Sequence, residues 1–417
     1  MPPSSSPAPA RVPGGVADRI WQFNQGRRSD TLALKYRKMR KNAFSFFRGT
    51  CHLFYQDWSA PAVLDQAPHT WVSGDLHLEN FGAYLGENGL VYFDVNDFDE
   101  AALAPLTWDL VRFLASLSVG LGTLGRPAAE AEALAQEFLE VYTSALAAGG
   151  ARSEDAAAVE GPIGEIMRLF PSRLAPAYLD KRTQLTPSGR KLKLDQDRVL
   201  PIADAERLQV IELLEEFGRQ RSAAPPVRVL DVAQLVAGTS SLGLARYLIL
   251  IDVNDALDGH QLLELKEASR SSLGPYLKWS QPNWPAEAAR VVGVQKLFQE
   301  VPPALLAATG LAAKSYIIRD FSRSHDRVNL ADPGWTARRL APTIRTMGRL
   351  AASGHLRGSA GPAAAGPSGA AQPDGLRAFA SETAWRPHLI HYAQHCAAQS
   401  EADYREYCVA YDRGEMS

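Results

Sequence analysis

Hydrophobic positions change their period several times along the chain. Residues 16–47 read as helical, and Leu110, Phe113, Leu114 and Leu117 recur at helical spacing in a second helical region, 108–148. Two short β-like runs, 71–73 and 91–95, lie between these regions. The loop Gly86-Glu87-Asn88-Gly89 before the second run ends in Asn-Gly, a strong turn signal, and the two runs are read as a hairpin. Another helix is predicted over 203–219.

After Pro225-Pro226 the pattern becomes strand-like over 227–236, 244–253 and 262–267. A helix over 286–300, opened by Pro285, and a strand over 315–321 follow. The Gly/Ala/Pro run 357–375 predicts a flexible loop, and a helical segment over 385–413 closes the chain. Residues 1–15, rich in Pro, Ser and Ala, are expected to be a disordered tail. The elements predict an α+β plan of two lobes. A helical lobe, 16–225, carries the hairpin, a β-rich lobe spans 226–330, and 331–417 is a helical return.

Composition adds boundaries. The chain has 417 residues, 46% of them hydrophobic, enough for two lobes with separate cores. A net charge of -2 gives no basic excess that would point to nucleic acid. The three cysteines, Cys51, Cys396 and Cys408, cannot build a disulfide framework and lack zinc-site spacing. They point to a reducing, cytoplasmic setting. The most apolar stretches, 113–124 and 247–253, are too short to span a bilayer, and residues 1–15 lack the features of a secretion signal.

Candidate chemistry concentrates in Gly74-Asp75-Leu76-His77-Leu78-Glu79-Asn80. Phosphoryl transfer needs a carboxylate near the acceptor hydroxyl and oxygen ligands for magnesium. Asp75 could accept the hydroxyl proton, and Asn80, five positions on, could hold the metal. Asn96-Asp97-Phe98-Asp99-Glu100 follows the run 91–95 and offers a second metal ligand, with Asp97 the choice and Asp94 and Asp99 as neighbours able to share the role. The plain alternative is a pair of polar surface loops.

The first segment resembles the catalytic segment of aminoglycoside phosphotransferases and choline-kinase-like enzymes, with Ser73 where those usually carry His. The chain is more closely similar to the bacterial DUF2252 family. The shared marks are Phe47-Arg48-Gly49, residues 74–82, Asn96 to Glu100, Trp108-Asp109-Leu110-Val111-Arg112, the Gly238–Gly243 loop and Lys266-Glu267-Ala268. They span most of 30–330 and the C-terminal helix. The resemblance implies a protein-kinase-like fold. Within it, His77 holds the catalytic loop and Asp109 ties that loop down by hydrogen bonds. Related sequences tend to carry an acid where this chain has Gly293.

A kinase-like site also needs a glycine loop over the phosphates and a lysine on a nearby strand. Residues 1–70 offer no such pair. Gly238-Thr239-Ser240-Ser241-Leu242-Gly243 joins two predicted strands, and Lys266 lies on the next. Glycines there let backbone N–H groups approach phosphate oxygens. Gly238, Ser240, Ser241, Gly243 and Lys266 are therefore the expected nucleotide contacts, with Glu287 on the following helix as the acid for Lys266. The catalytic motifs precede the nucleotide lobe, so the expectation is a circularly permuted kinase-like fold.

Other residues have plainer readings. Arg48 is expected to organise the site, and Asp99 to support it. The basic run 35–41 reads as a solvated helix face, and Arg319 to Arg327 as a solvated loop. His388, His391 and His395 share a helix face that reads as partly buried or polar surface and not as a metal site. The functional expectation is an ATP- and Mg-dependent phosphotransferase acting on a hydroxyl acceptor. The alternative is a nucleotide-binding protein without phosphoryl transfer, or one that moves the nucleotide. A metal-dependent phosphoesterase lacks support, because no Gly-Asn-His step occurs and His is sparse.

Overall fold

The computed structural model of the chain describes residues 14–149, 159, 161–171, 176–220, 228–252, 259–311, 313–321, 326–332, 334–360 and 372–416. The fold is α+β. The expected tail lies outside the described residues except for Gly14 and Gly15, which lead into the first helix.

The N-terminal region is a run of short helices: α1 (Val16–Phe23), α2 (Ser29–Met39), α3 (Ala43–Gly49), α4 (Cys51–Gln56) and α5 (Ala62–Asp65). Gly26, at φ +79°, interrupts the expected single helix. Asn42 caps α3, its side chain accepting from the Ser45 N–H at 2.7 Å.

Four strands follow: β1 (His69–Val72), β2 (Phe81–Leu85), β3 (Val91–Val95) and β4 (Ala102–Pro105). The Asn88-Gly89 turn closes a hairpin, but its partner strands are β2 and β3, with Phe81 opposite Val95. The expected pairing of 71–73 with 91–95 is corrected here. β1 instead pairs with β4, Trp71 opposite Leu103. β4 is buried along its whole length, so no alternation marks it in the sequence.

The helical body is built from α6 (Thr107–Thr123), α7 (Ala128–Ala148) and α8 (Gly161–Leu169), joined later by α12 (Ala337–Ala360), α13 (Pro373–Ser381) and α14 (Trp385–Asp412). Leu110, Phe113, Leu114 and Leu117 of α6 lie in its core with Phe138, Ile344, Met347 and Leu389. The expected flexible loop 357–375 shrinks. Residues 357–360 complete α12 and 373–375 begin α13, while 361–371 lie outside the described residues.

Between α8 and α12 the chain forms α9 (Pro176–Arg182), β5 (Thr183–Thr186), β6 (Gly189–Leu192), β7 (Val199–Leu200), α10 (Asp204–Gln220), β8 (Arg228–Leu235), β9 (Arg246–Asp252), β10 (His260–Ala268), α11 (Glu287–Phe298), β11 (Leu306–Leu311) and β12 (Lys314–Asp320). A six-stranded antiparallel sheet runs in the order β11-β12-β10-β9-β8-β7. Its two faces differ. Leu263, Leu265, Tyr316 and Ile318 pack under Val210 and Leu214 of α10. Leu248, Leu250 and Leu262 face the other way and are covered by Leu179 and Leu192. Residues 176–220, expected with the helical part, thus pack on the sheet, because the strands are apolar on both faces.

No helix among the described residues is long and apolar enough to cross a membrane. Cys51, Cys396 and Cys408 are free thiols.

The sheet and the body meet partly through α11 and α12. A Cβ added at Gly354 of α12 would lie 1.9 Å from the ring of Phe298, which is fully buried on α11. Gly354→Ala gains about 1 kcal/mol of helix propensity. Displacing a locked core ring costs about 1–3 kcal/mol, so a net loss is expected. Urea denaturation checks this, and a variant as stable as the wild type contradicts it.

Candidate functional site

Residues 73–80 form the connection between β1 and β2. Gly74 turns it at φ +79°, and a Cβ there would lie 2.2 Å from the Glu100 carbonyl oxygen. Only glycine fits both demands. Asp109, in the first turn of α6, holds the turn from below. Its carboxylate accepts from the backbone N–H of Ser73 at 2.8 Å and of Gly74 at 2.9 Å, and from Ser73 Oγ at 3.2 Å. His355 Nε2 of α12 lies 3.2 Å away from the same carboxylate, and Tyr142 Oη is 2.8 Å from His355 Nδ1. Tyr55 donates to the Gly74 carbonyl at 2.7 Å.

Asp75 comes next. Its Oδ1 accepts from Arg112 Nε at 2.9 Å and lies 2.9 Å from Arg112 Nη2. The guanidinium rests 3.5 Å over the Phe47 ring and donates to the Phe47 carbonyl at 2.8 Å. Burial pushes the Asp75 carboxyl up to about 7 despite Arg112, with Glu100 and Asp97 adding to the rise. His77 is buried. Its Nδ1 accepts from the Glu79 N–H at 3.1 Å, and burial, then Arg48 and Arg112, hold its pKa well down. A neutral imidazole that receives a backbone N–H is an anchor for the loop. Arg48 pairs with Glu79, whose other oxygen accepts from the Leu330 N–H at 2.8 Å.

Asn80 donates through Nδ2 to the Asp75 carbonyl at 3.0 Å and to the Asp97 carbonyl at 3.2 Å. Among the described residues its buried Oδ1 has no hydrogen-bond partner. A buried acceptor without a donor is costly in a folded protein. Asn80 Oδ1 and the Asp97 carboxylate are oxygen donors of the kind a hard divalent cation takes.

Lys266 is the hinge of the arrangement. It lies on β10, its side chain 3% exposed, with Nζ 3.3 Å from Asp97 Oδ1 and 2.5 Å from Asp99 Oδ2. Burial alone would raise Asp97. Lys266, then Arg319, Arg246 and Arg327, outweigh it and hold the carboxyl well below the usual range. The Asp97 side chain keeps 48% of its surface in solvent at the mouth of the cleft. Asp99 is driven the other way, by burial and then by Asp97.

The loop Gly238–Gly243 joins β8 to β9, with Gly238 and Gly243 at φ +78° and +94°. Its carbonyl oxygens are held from outside. Arg27 donates to those of Ser240 and Leu242 at 2.7 and 2.9 Å, Lys35 to Ser240 at 2.8 Å, and Lys38 to Gly238 at 3.3 Å. Burial, then Arg27, pushes the Lys35 ammonium well down. The expectation of a solvated face for 35–41 is therefore wrong at Lys35, which is fully buried. A signal existed: Lys35 lies four residues from both Thr31 and Met39, on the buried stripe of α2.

A narrow cleft collects Arg48, Asp75, His77, Asn96, Asp97, the residues 238–241, Arg246, Arg319 and Arg327. Lys266 adjoins it through Asp97. Arg319 and Arg327 thus belong to the cleft and not to a solvated loop, which corrects that expectation. Arg323 and His325 lie outside the described residues. Arg246 and Arg319 both lean on Glu264 Oε1, at 2.8 and 3.1 Å. Glu264 was missed as well. Glu264 and Lys266 are alternate residues of the run Leu262-Leu263-Glu264-Leu265-Lys266, whose other members are leucines, and that alternation was the available signal.

Glu287 does not serve Lys266. It pairs with Arg290 at 2.9 Å, and Arg290 in turn donates to the carbonyls of Ala101, Asp99 and Ser269. At Gly293 the Trp284 ring takes the side-chain space, 2.6 Å from where a Cβ would stand. The acids for Lys266 come instead from Asp97 and Asp99. Asp94 is buried elsewhere, beside Arg357 at 3.2 Å. His388, His391 and His395 are exposed, and no group of three or more His, Cys, Asp or Glu among the described residues could hold a metal ion.

A much larger groove, about 1480 Å³, is a different place. It is lined by parts of α1, α4 and the 270–290 segment and contains none of Asp75, Asn80, Asp97 or Lys266. Size usually favours such a groove. Here the convergence of carboxylates, guanidiniums and an orphaned amide decides for the smaller cleft.

Glu264 allows a pH test. Burial would raise its pKa, but Arg246 and Arg319 bring it from 4.5 to about 2. A depressed carboxyl stabilises the fold above its unfolded pKa and loses that effect as pH falls towards the folded one. Glu264→Gln leaves two guanidiniums without their counter-ion, a loss of about 3–5 kcal/mol for a broken buried pair. The melting-temperature gap to wild type is expected to be widest near neutral pH and to narrow between pH 4.5 and about 2. A gap independent of pH contradicts this role.

Searches among curated proteins and among solved structures return no match. The model of the family described as "Uncharacterized protein conserved in bacteria (DUF2252)" matches residues 27–410, and the chain belongs to that family.

Proposed function

We propose that the protein is an ATP- and Mg-dependent phosphotransferase with a protein-kinase-like, circularly permuted, two-lobed fold, acting on a hydroxyl acceptor. One observation carries the reading. Lys266 Nζ lies 3.3 Å from Asp97 Oδ1 across 169 positions of chain, beside a loop that also holds Asp75 and Asn80. A single polyphosphate could therefore meet the lysine and the metal-binding acid together.

The connectivity supports the same reading. Along β8, β9, β10, α11, β11 and β12 the glycine loop comes first, then the lysine strand, then the single helix. That is the kinase order of nucleotide-binding parts, placed after the catalytic loop instead of before it. The N–H groups of Thr239, Ser240 and Ser241 have no protein acceptor among the described residues, while the loop's carbonyls are turned to Arg27, Lys35 and Lys38. Such a loop suits phosphate oxygens. The orphaned Oδ1 of Asn80 and the ionised Asp97 suit a magnesium ion, which would neutralise charge on the phosphates.

Asp75 is the group to orient the acceptor hydroxyl and take its proton. Its carboxyl near 7 gives a base matched to neutral pH. Asp109, Arg112 and His77 hold the loop that presents it.

Thermal-shift measurements with ATP, with and without magnesium, test the reading. Ligand at about 100 times its Kd adds about 2.7 kcal/mol of stability. The wild type is expected to shift with magnesium present, and Asp97→Ala and Lys266→Ala to lose the shift. No shift in the wild type sinks the assignment. Label from γ-labelled ATP is expected on the product; label from α-labelled ATP alone would establish nucleotidyl transfer instead. Asp75→Asn should keep ATP binding and lose about 10²–10⁴-fold in transfer rate. Because the base form of Asp75 is the deprotonated one, wild-type transfer should rise with pH through about 7. A flat profile across that range rules Asp75 out as the base.

A further inference from the structure

The cleft is unusual in its cations. Arg48, Arg246, Arg319 and Arg327 all line it. Two carboxylates form ion pairs with this quartet: Glu79 with Arg48, and a single oxygen of Glu264 with both Arg246 and Arg319, while Asp97 faces Arg319, Arg246 and Arg327 from further off. Among the described residues no carboxylate pairs with Arg327. The Nε of each of the four guanidiniums is buried and lacks a hydrogen-bond partner among the described residues. Burial and the other three arginines lower the Arg327 pKa to about 10, so the cations crowd one another. Buried guanidinium donors without acceptors are the arrangement that receives phosphate groups.

The apolar side of the same site is already filled. Lys266 and Glu264 share a sheet face with Leu248, Leu250 and Leu262, the surface next to which a flat base would stack. Leu179, Leu192 and Val199 of the chain's own α9–β7 segment cover these leucines. Arg182 closes that side, its guanidinium 3.7 Å over the Tyr178 ring and 5.8 Å from Phe321. What the cleft leaves open is charge.

We infer that the site recognises its ligand through a magnesium-complexed triphosphate chain and not through a base, so that any nucleoside triphosphate, or inorganic triphosphate, occupies it. This inference rests on the nucleotide reading of the cleft and narrows its ligand class. Arg327, with Arg246 and Arg319, supplies the donors that the chain's own carboxylates leave unused.

Calorimetry on the full chain tests it with the magnesium complexes of ATP, GTP, CTP and inorganic triphosphate, and with adenosine. The four triphosphates are expected to bind with Kd values within about threefold of each other, and adenosine not at all. Arg327→Gln is expected to weaken all four together by about tenfold or more, with its ligand-free melting curve still cooperative. ATP binding about tenfold or more tighter than the other three, or adenosine competing with ATP, overturns the inference and leaves the nucleotide reading standing. Absence of binding by every triphosphate overturns both. Should Arg327→Gln fail to fold, the wild-type panel alone still decides. An unchanged Kd in a folded Arg327→Gln removes the arginine from the site.

Discussion

The contact of Lys266 with Asp97 and Asp99 is the constraint on which the rest of this structure turns. An ammonium that is 3% exposed is tolerable only when paired, since breaking a buried pair costs about 3–5 kcal/mol. The lysine belongs to the sheet and the acids to the loop after β3. The sheet can therefore satisfy its own buried charge only when docked on the helical body. Arg290 repeats the device, crossing from α11 to the carbonyls of Asp99 and Ala101. Glu100 does so again, accepting from Ser272 N at 2.5 Å and Ser272 Oγ at 2.9 Å. Three interleaved sets of contacts on the single loop 97–101 after β3 thus fix how the two parts meet.

The two sides of the cleft are built by opposite means. The Asp75 side stands on hydrophobic packing, with Asp109 and Arg112 projecting from α6, nearly all of whose residues are buried. The glycine-loop side is held by cations that reach its carbonyl oxygens from α2 and the turn before it. A rigid platform carrying the carboxylate faces a loop whose dipoles are oriented from behind. Preorganised dipoles of that kind favour negative charge in front of the loop, and they do so without spending side chains inside the cleft.

Local signals made much of this legible in the sequence, and tertiary pairing hid the remainder. The α6 stripe, the Asn88-Gly89 turn and the strands β8 to β10 follow from periodicity and turn chemistry. Asp109 was expected beneath the segment 74–80 by family likeness, and its carboxylate accepts from the Ser73 and Gly74 N–H groups. The run 71–73 was read as β-like and overlaps β1, but β2 and β4 escaped, β4 because a four-residue strand buried throughout carries no alternation. Lys35, Glu264 and Arg319 escaped for a common reason. A buried charge is defined by its partner, and here the partners lie on distant strands or loops. Glu287 failed in the converse way: helix order put an acid near Lys266, but Arg290 three residues on captured it.

The same charges bear on how the cleft would fill. Lys266 is now shared between two carboxylates, one held ionised and the other pushed towards protonation. A phosphate chain offers the ammonium new oxygens, and a magnesium ion at Asp97 and Asn80 would replace the ammonium as that acid's counter-charge. Each buried charge would keep a partner through the exchange, so loading the cleft need not leave any ion bare. That balance needs Asp99 to remain beside Lys266 as the acid that does not bind metal, the place that Glu287 was expected to take. In this chain the lysine's acid comes from the loop proposed to bind the metal, which couples the position of Lys266 to the state of Asp97 more tightly than a helix-borne partner would.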